Sequence, residues 1–157
     1  MEAETLYEEH FEYVWRSLRR LGLSEEATKD ACQEVLLIAF RSLHRYDASR
    51  PIRPWLFGVS RNVVRASWRE RAHEREETDV ASTPSDAARV EAVDLVHRAL
   101  ETLPMVRREV VVLHQLDDVP MKDVAEALEM PLNSAYSHYR RGMEQLRGAL
   151  VKLGGAP

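Results

Sequence analysis

Cysteine is nearly missing from this sequence: Cys32 stands alone among 157 residues. One thiol excludes an internal disulfide and any zinc site built from several cysteines. It lies in an apolar helical run and reads as a small core residue. Glycine is scarce too, six in all with two in the C-terminal tail, so no phosphate-cradling loop is available. Long hydrophobic runs are absent, and none approaches the ~20 residues of a membrane span. Arg16, Arg19 and Arg20 interrupt the early apolar positions, so no signal peptide is expected and a cytoplasmic protein is. Catalytic constellations are missing as well. His73-Glu74-Arg75-Glu76-Glu77 has Glu where an H-E-x-x-H zinc motif needs its second histidine. No nucleophile elbow is visible, and the six histidines are scattered. The reading therefore expects no enzyme activity, no cofactor, no metal and no small-molecule substrate.

What is present is an apolar fraction of 45%, enough for a packed core, and an uneven distribution of charge. The net charge is −4, yet residues 31–71 carry eight arginines against three acids, an excess of +5. Residues 72–101 carry three arginines against eight acids, an excess of −5. The basic segment also holds Tyr46, Trp55, Phe57 and Trp68. Arginines beside aromatic rings suit a phosphate backbone and unpaired bases. They equally suit an amphipathic helix whose long cations lie along apolar surface.

Nearly every segment has helical periodicity. Tyr7, Phe11, Val14, Trp15, Leu18 and Leu21 recur at helical spacing up to Gly22. Ser24 is a candidate N-cap for a second helix reaching about Leu43, with Ala27, Ala31, Val35, Ile38 and Ala39 inward. After a Pro/Asp/Ser loop, Pro54 suits the first turn of a third helix. Trp55, Val59, Val63 and Ala66 are its expected core stripe. The expected architecture is all-α: two small helical domains, 1–71 and 91–154, joined by a flexible acidic linker over 72–90. In the second, Val124, Ala125 and Leu128 mark one helix, a break falls at Glu129-Met130-Pro131, and Asn133 is a candidate cap for the next. Helix, short turn, helix is the helix-turn-helix pattern, which also occurs in bundles that bind nothing.

Three stretches together resemble bacterial RNA polymerase sigma factors of the extracytoplasmic-function group, within the sigma-70 family. Asp30-Ala31-Cys32-Gln33-Glu34 with Ala39-Phe40 looks like that family's D-x-x-Q-E…A-[WF] helix. Arg50-Pro51-Ile52-Arg53-Pro54-Trp55-Leu56 with Arg61-Asn62 is similar to its R-P-F-R-P-W-L…R-N signature. Leu103-Pro104 through Arg141 resembles its C-terminal helix-turn-helix domain. The resemblance implies a bacterial cytoplasmic protein, associated with the nucleoid when active. It would bind core RNA polymerase and direct promoter-specific initiation. It further implies an anti-sigma partner, and contact with a membrane only through that partner.

The implied sites fall into three groups. Asp30, Gln33, Glu34, Phe40 and Arg41 are the implied polymerase-docking residues; Asp30, Gln33, Glu34 and Arg41 share roughly one helical face. Tyr46, Asp47, Ser60, Arg61, Asn62, Arg65, Trp68 and Arg69 are the candidates for the melted minus-ten strand. Arg61, Arg65 and Arg69 form an i, i+4 ladder of cations that repel one another by a few tenths of a kcal/mol, roughly, and a polyanion would relieve them. Tyr46 is either a stacking ring or loop packing, and Trp68 either a stacking ring or core. Asn133, Ser134, Tyr136, Ser137, His138, Arg140 and Arg141 are the candidates for reading the minus-thirty-five duplex in the major groove. Tyr136 and His138 stand where the family usually has Lys and Arg, and Pro120 where a Ser or Thr cap is usual. The linker acids Glu74, Glu76, Glu77, Asp79 and Asp86 are either a tether or a negative strand for a positive channel in the polymerase. Two competing readings remain: a sigma-like decoy that binds a regulatory protein without DNA, and a helix-turn-helix repressor on duplex DNA.

Overall fold

The computed structural model describes the backbone of residues 2–75 and 92–154. The linker reading, with the side chains of Glu74, Glu76, Glu77, Asp79 and Asp86, lies outside the described residues. Every regular element among the described residues is helical. The first half contains α1 (Ala3–Arg20), α2 (Glu25–Arg41), a 3-10 turn (Leu43–Arg45) and α3 (Ile52–Arg75). The second contains α4 (Ala92–Glu101), α5 (Met105–Val111) with a π-turn (Val112–Leu116), α6 (Met121–Ala127) and α7 (Leu132–Gly154).

Local chemistry sets most of these ends. Gly22, at φ +111, supplies the left-handed residue that stops α1, and its N–H bonds Arg19 O at 3.0 Å. Ser24 caps α2, its Oγ accepting from Ala27 N at 3.2 Å, with Glu25 and Glu26 in the first turn. Pro54 sits within the first turn of α3, where a missing N–H costs nothing. That helix continues past residue 71, through Arg75. Pro120 occupies the cap position before α6 with an extended backbone and no side-chain cap, and its carbonyl accepts from Asp123 N at 2.9 Å and Val124 N at 3.0 Å. Asn133 is not the cap of α7: the helix begins at Leu132, and Asn133 lies exposed in its first turn.

Helices α1, α2 and α3 pack mutually, while α4, α5 and α6 pack on the long α7. Gly142 is required at the α5–α7 crossing, since a Cβ there would lie 2.7 Å from Val111 Cγ2. Two core stripes differ from the expected ones. On α3 the buried side chains include Pro54, Leu56, Phe57, Ser60, Val63 and Val64; Trp55 and Val59 are half-buried and Ala66 is exposed. On α2, Ile38 faces solvent. The α3 stripe is rotated because this helix is covered on two sides. It packs on α1 and α2 within its own half and on α6 from the other, so no single narrow stripe describes it.

Cys32 is fully buried, as its helical context implied. Burial pushes its thiol up to about 11. The folded chain thus keeps a proton that the unfolded chain loses earlier. This stabilisation is complete below the ordinary thiol value and is lost as pH rises toward about 11. A thiol-specific reagent at neutral pH should label native protein slowly and urea-unfolded protein quickly. Equal rates in the two states would contradict this packing.

Candidate nucleic-acid interface

Helix α2 is held by Ala31, Cys32, Val35, Leu36 and Ala39 on its buried side. That anchoring leaves Asp30, Gln33, Glu34, Phe40 and Arg41 exposed. Leu37 and Ile38 join them, with Leu37 48% exposed and Phe40 41%. Positions 30, 33, 34, 37, 38 and 41 follow the i, i+3, i+4 rule, so acids, amide, aliphatics and cation form one stripe. The sequence reading missed Leu37 and placed Ile38 inward. Together Leu37, Ile38 and Phe40 leave an apolar patch among the polar groups of this helix.

The arginine ladder on α3 is not free in this conformation. Arg61 Nε donates to Glu109 Oε2, and Arg65 Nη2 donates to Glu109 Oε1. Glu109 comes from α5, in the second half, and its side chain is 1% exposed. Arg61 and Arg65 are 18% and 32% exposed. The anion that relieves the ladder is therefore supplied by the chain itself. Asn62 and Arg69 remain exposed. Ser60 is buried, and its hydroxyl donates to Leu56 O at 2.9 Å, so it presents nothing to solvent. Trp68 is half-buried, with the Arg108 guanidinium 5.6 Å from its ring centroid, and it packs beside Gly22.

The loop before α3 forms one wall of a cleft of about 380 Å³. Tyr46 stacks on Trp55 at a centroid distance of 5.1 Å, and its hydroxyl donates to Arg50 O. Asp47 Oδ1 accepts from Ser49 N at 3.0 Å and from Ser49 Oγ at 2.7 Å. Those two bonds, helped by Arg50, hold the Asp47 carboxyl below its usual range. The opposite wall is α6 and its turn, carrying Asp123, Glu126 and Glu129.

In the helix-turn-helix, α6 and α7 meet through a turn in which Glu129 adopts φ +54. Met130 N closes it on Ala125 O at 2.9 Å. Ala125 is buried at this approach. On α7, Asn133, Tyr136, Arg140 and Arg141 are exposed, and Ser134, Ser137 and His138 are half-buried. Tyr139 turns inward instead, edge-on to His114 at 4.7 Å and bonded to Gln115 Oε1. The recognition-helix candidates thus share one end of α7, separate from the α3 ladder.

Further polar links cross between the halves. Asp117 accepts from Tyr13 Oη and from Arg20 Nη1, each at 3.0 Å. Burial, then the charge of Asp117, raises the Tyr13 phenol above its ordinary value, so it stays a donor. Arg50 pairs with Glu126. Arg108 is 7% exposed and donates to Leu21 O at 2.8 Å, at the end of α1. It also donates to Leu103 O at 3.1 Å. Burial pulls this guanidinium below its ordinary value, opposed by Glu101 and Glu109. None of these links was legible as a pair in the sequence. Their partners lie between 76 and 104 residues apart, except Arg108 with Leu103.

Comparison with known proteins agrees with this architecture. Residues 6–74 match the family model for Sigma-70 region 2, and residues 94–146 match that for Sigma-70, region 4. The ECF RNA polymerase sigma factor SigL of Mycobacterium tuberculosis is 30% identical over 158 aligned residues, covering 95% of this chain and 89% of that protein. SigE of Mycolicibacterium smegmatis is 28% identical and covers 95% of this chain; the chain spans 62% of SigE's length. Among solved structures, the sigma factor RpoE from Bartonella quintana, crystallised with the anti-sigma factor NepR, superposes with a TM-score of 0.73. The identity is 21%, over 92% of this chain and 96% of that one. CnrH, solved with the cytosolic domain of CnrY, gives a TM-score of 0.70 at 24% identity, over 94% and 86%. The chain belongs to the extracytoplasmic-function RNA polymerase sigma factors.

Burial ranks the links between the halves. Tyr13→Phe removes one donor from a carboxylate that is 5% exposed and should cost about 1–3 kcal/mol. Arg50→Ala breaks a solvated pair and should cost under about 1 kcal/mol. Urea denaturation of both variants checks the order; an equal or reversed cost would contradict it.

Proposed function

We propose that this chain binds core RNA polymerase and makes initiation promoter-specific, acting by binding and with no reaction of its own. The observation that carries the reading is the exposed α2 stripe in a chain of this family. Asp30, Gln33, Glu34 and Arg41 offer charge-assisted hydrogen bonds around Leu37, Ile38 and Phe40, the composition of a helix that docks on another protein. The first domain, through the end of α3 at Arg75, carries that face and the minus-ten surface. The second, from α4 at Ala92, carries the minus-thirty-five surface on α7, with 76–91 as the connection. Arg61, Asn62, Arg65 and Arg69, beside the Tyr46–Trp55 loop, hold the strand-separated minus-ten DNA. Trp68 joins them once Arg108 has left its ring. Capture of the melted strand shifts the duplex toward the open state without ATP. Asn133, Tyr136, Arg140 and Arg141 enter the duplex major groove upstream.

An anti-sigma protein is a fitting regulator. RpoE and CnrH, of the same fold, were each solved with a partner protein, the anti-sigma factor NepR in the first case. Among the described residues, no helix is long and apolar enough to cross a membrane. We place the chain in the cytoplasm, reaching the membrane only through such a partner.

The test is transcription from a promoter library by core polymerase, with and without this protein. Initiation at discrete sites only in its presence is expected. Phe40→Ala combined with Glu34→Lys should abolish that initiation and co-purification with core, while helix content and thermal stability stay unchanged. Initiation that does not depend on the protein, or a double variant that works normally, would overturn the proposal.

A further inference from the structure

We infer that the crevice between α1 and α2 is a second protein-docking site, which takes a basic amphipathic helix of a partner protein other than the polymerase. It uses none of the residues assigned to DNA. The crevice encloses about 590 Å³. Tyr7, Phe11 and Trp15 form its α1 wall, and Glu25, Glu26, Lys29 and Gln33 its α2 wall. The rings make a continuous ladder, with centroids 5.0 Å apart from Tyr7 to Phe11 and 5.8 Å apart from Phe11 to Trp15. Phe11 and Trp15 lean partly on the core, whereas Tyr7, 48% exposed, extends the ladder into solvent.

Carboxylates frame this ladder on both sides. Glu4 and Glu8 share a helical face with Phe11 and Trp15, and Glu12 continues their line. These three acids are exposed, as are Glu25 and Glu26 across the crevice. The ion pairs among the described residues use other acids: Glu9, Asp47, Glu109, Asp117 and Glu126. Glu4, Glu8 and Glu12 therefore repel one another at i, i+4 spacing with no paired cation of the chain to offset them. Lys29 is the one cation lining the crevice.

Exposed rings between carboxylates select cations carried on apolar stems. Lysine and arginine stems lie along the rings, and their charged heads reach the acids. A crevice between two helices suits a third helix, whose apolar stripe enters it while its flanking cations meet the two acidic rims. The same carboxylates repel nucleic acid and anionic lipid. Residues 76–91 of this chain carry five acids against Arg89 alone, so their charge is of the wrong sign to fill the site. The crevice and the α2 stripe have only Gln33 in common, so the polymerase and this partner address neighbouring faces of one helix.

The test uses the full-length chain and a fluorescein-labelled synthetic helix of about five turns, with leucine at i, i+3, i+4 and i+7 and lysine or arginine elsewhere. Anisotropy measures its affinity, and NMR follows the indole N–H of Trp15, assigned with W15F. The basic helix should bind and shift the Trp15 signal, while a version with glutamate in place of every cation should not bind. E8K/E12K should keep its helix content by circular dichroism, bind the basic helix at least about tenfold more weakly, and still co-purify with core polymerase. E70K/E144K makes the same charge change on α3 and α7, outside the crevice, and should leave the affinity within about twofold. No binding by the basic helix, or binding that leaves the Trp15 signal in place, would overturn the inference. Equal weakening by E70K/E144K would overturn it as well, by reducing the effect to overall charge. Loss of core binding by E8K/E12K would assign the crevice to the polymerase instead. A dimer of the parent chain that E8K/E12K abolishes would assign it to a second copy. If the parent chain itself does not bind core, the proposed function fails, and the peptide measurements still decide this inference.

Discussion

A carboxylate almost sealed from water between two guanidiniums is the contact on which this conformation depends. Glu109 is buried between Arg61 and Arg65, and its carboxylate offsets the mild repulsion of their i, i+4 spacing. Removing one member of such a group leaves an uncompensated buried charge, at a typical cost of about 3–5 kcal/mol. Replacing the whole group with apolar side chains would often be neutral or better. Stability alone therefore does not explain why charges occupy this seam.

The other links between the halves follow the same pattern. Asp117 and Glu126 lie on the second half, and Arg20 and Arg50 on the first. The net balance of residues 102–157 conceals this, because Glu109, Asp117 and Glu126 pair with cations of the first domain while Arg140 and Arg141 face out. One domain thus shows acids toward its neighbour and the cations Arg140 and Arg141 toward solvent. The buried Arg108 fixes the seam at its other end by donating to carbonyls of both halves, Leu21 and Leu103.

Helices α1 to α3, the caps at Gly22 and Ser24, and the helix-turn-helix were legible in the sequence because each is specified locally. Periodicity, a cap residue and a breaker suffice for those. The α3 core stripe was legible only to within one register step, since Leu56, Phe57, Val63 and Val64 compete with Trp55 and Val59 for the inward face, and both flanks are covered. The π-turn at Val112–Leu116 left no signal, because an apolar run reads the same at either winding. The Gly142 crossing was missed for a similar reason: a lone glycine in a helical pattern does not reveal which side chain approaches it. The candidate site divides along the same line. The mutual repulsion of Arg61, Arg65 and Arg69 was visible in their spacing, and it called for an anion. That the first anion is Glu109, 44 residues beyond Arg65, follows only from the tertiary fold.

The central claim is that Arg65 and Glu109 are energetically joined in the free protein. A double-mutant cycle measures that directly, using Arg65→Ala, Glu109→Gln and the pair, each unfolded in urea at low and high salt. The account predicts a coupling above about 1 kcal/mol that weakens only modestly with salt, as expected for a shielded pair. Additive single-variant effects, with coupling near zero, would contradict it.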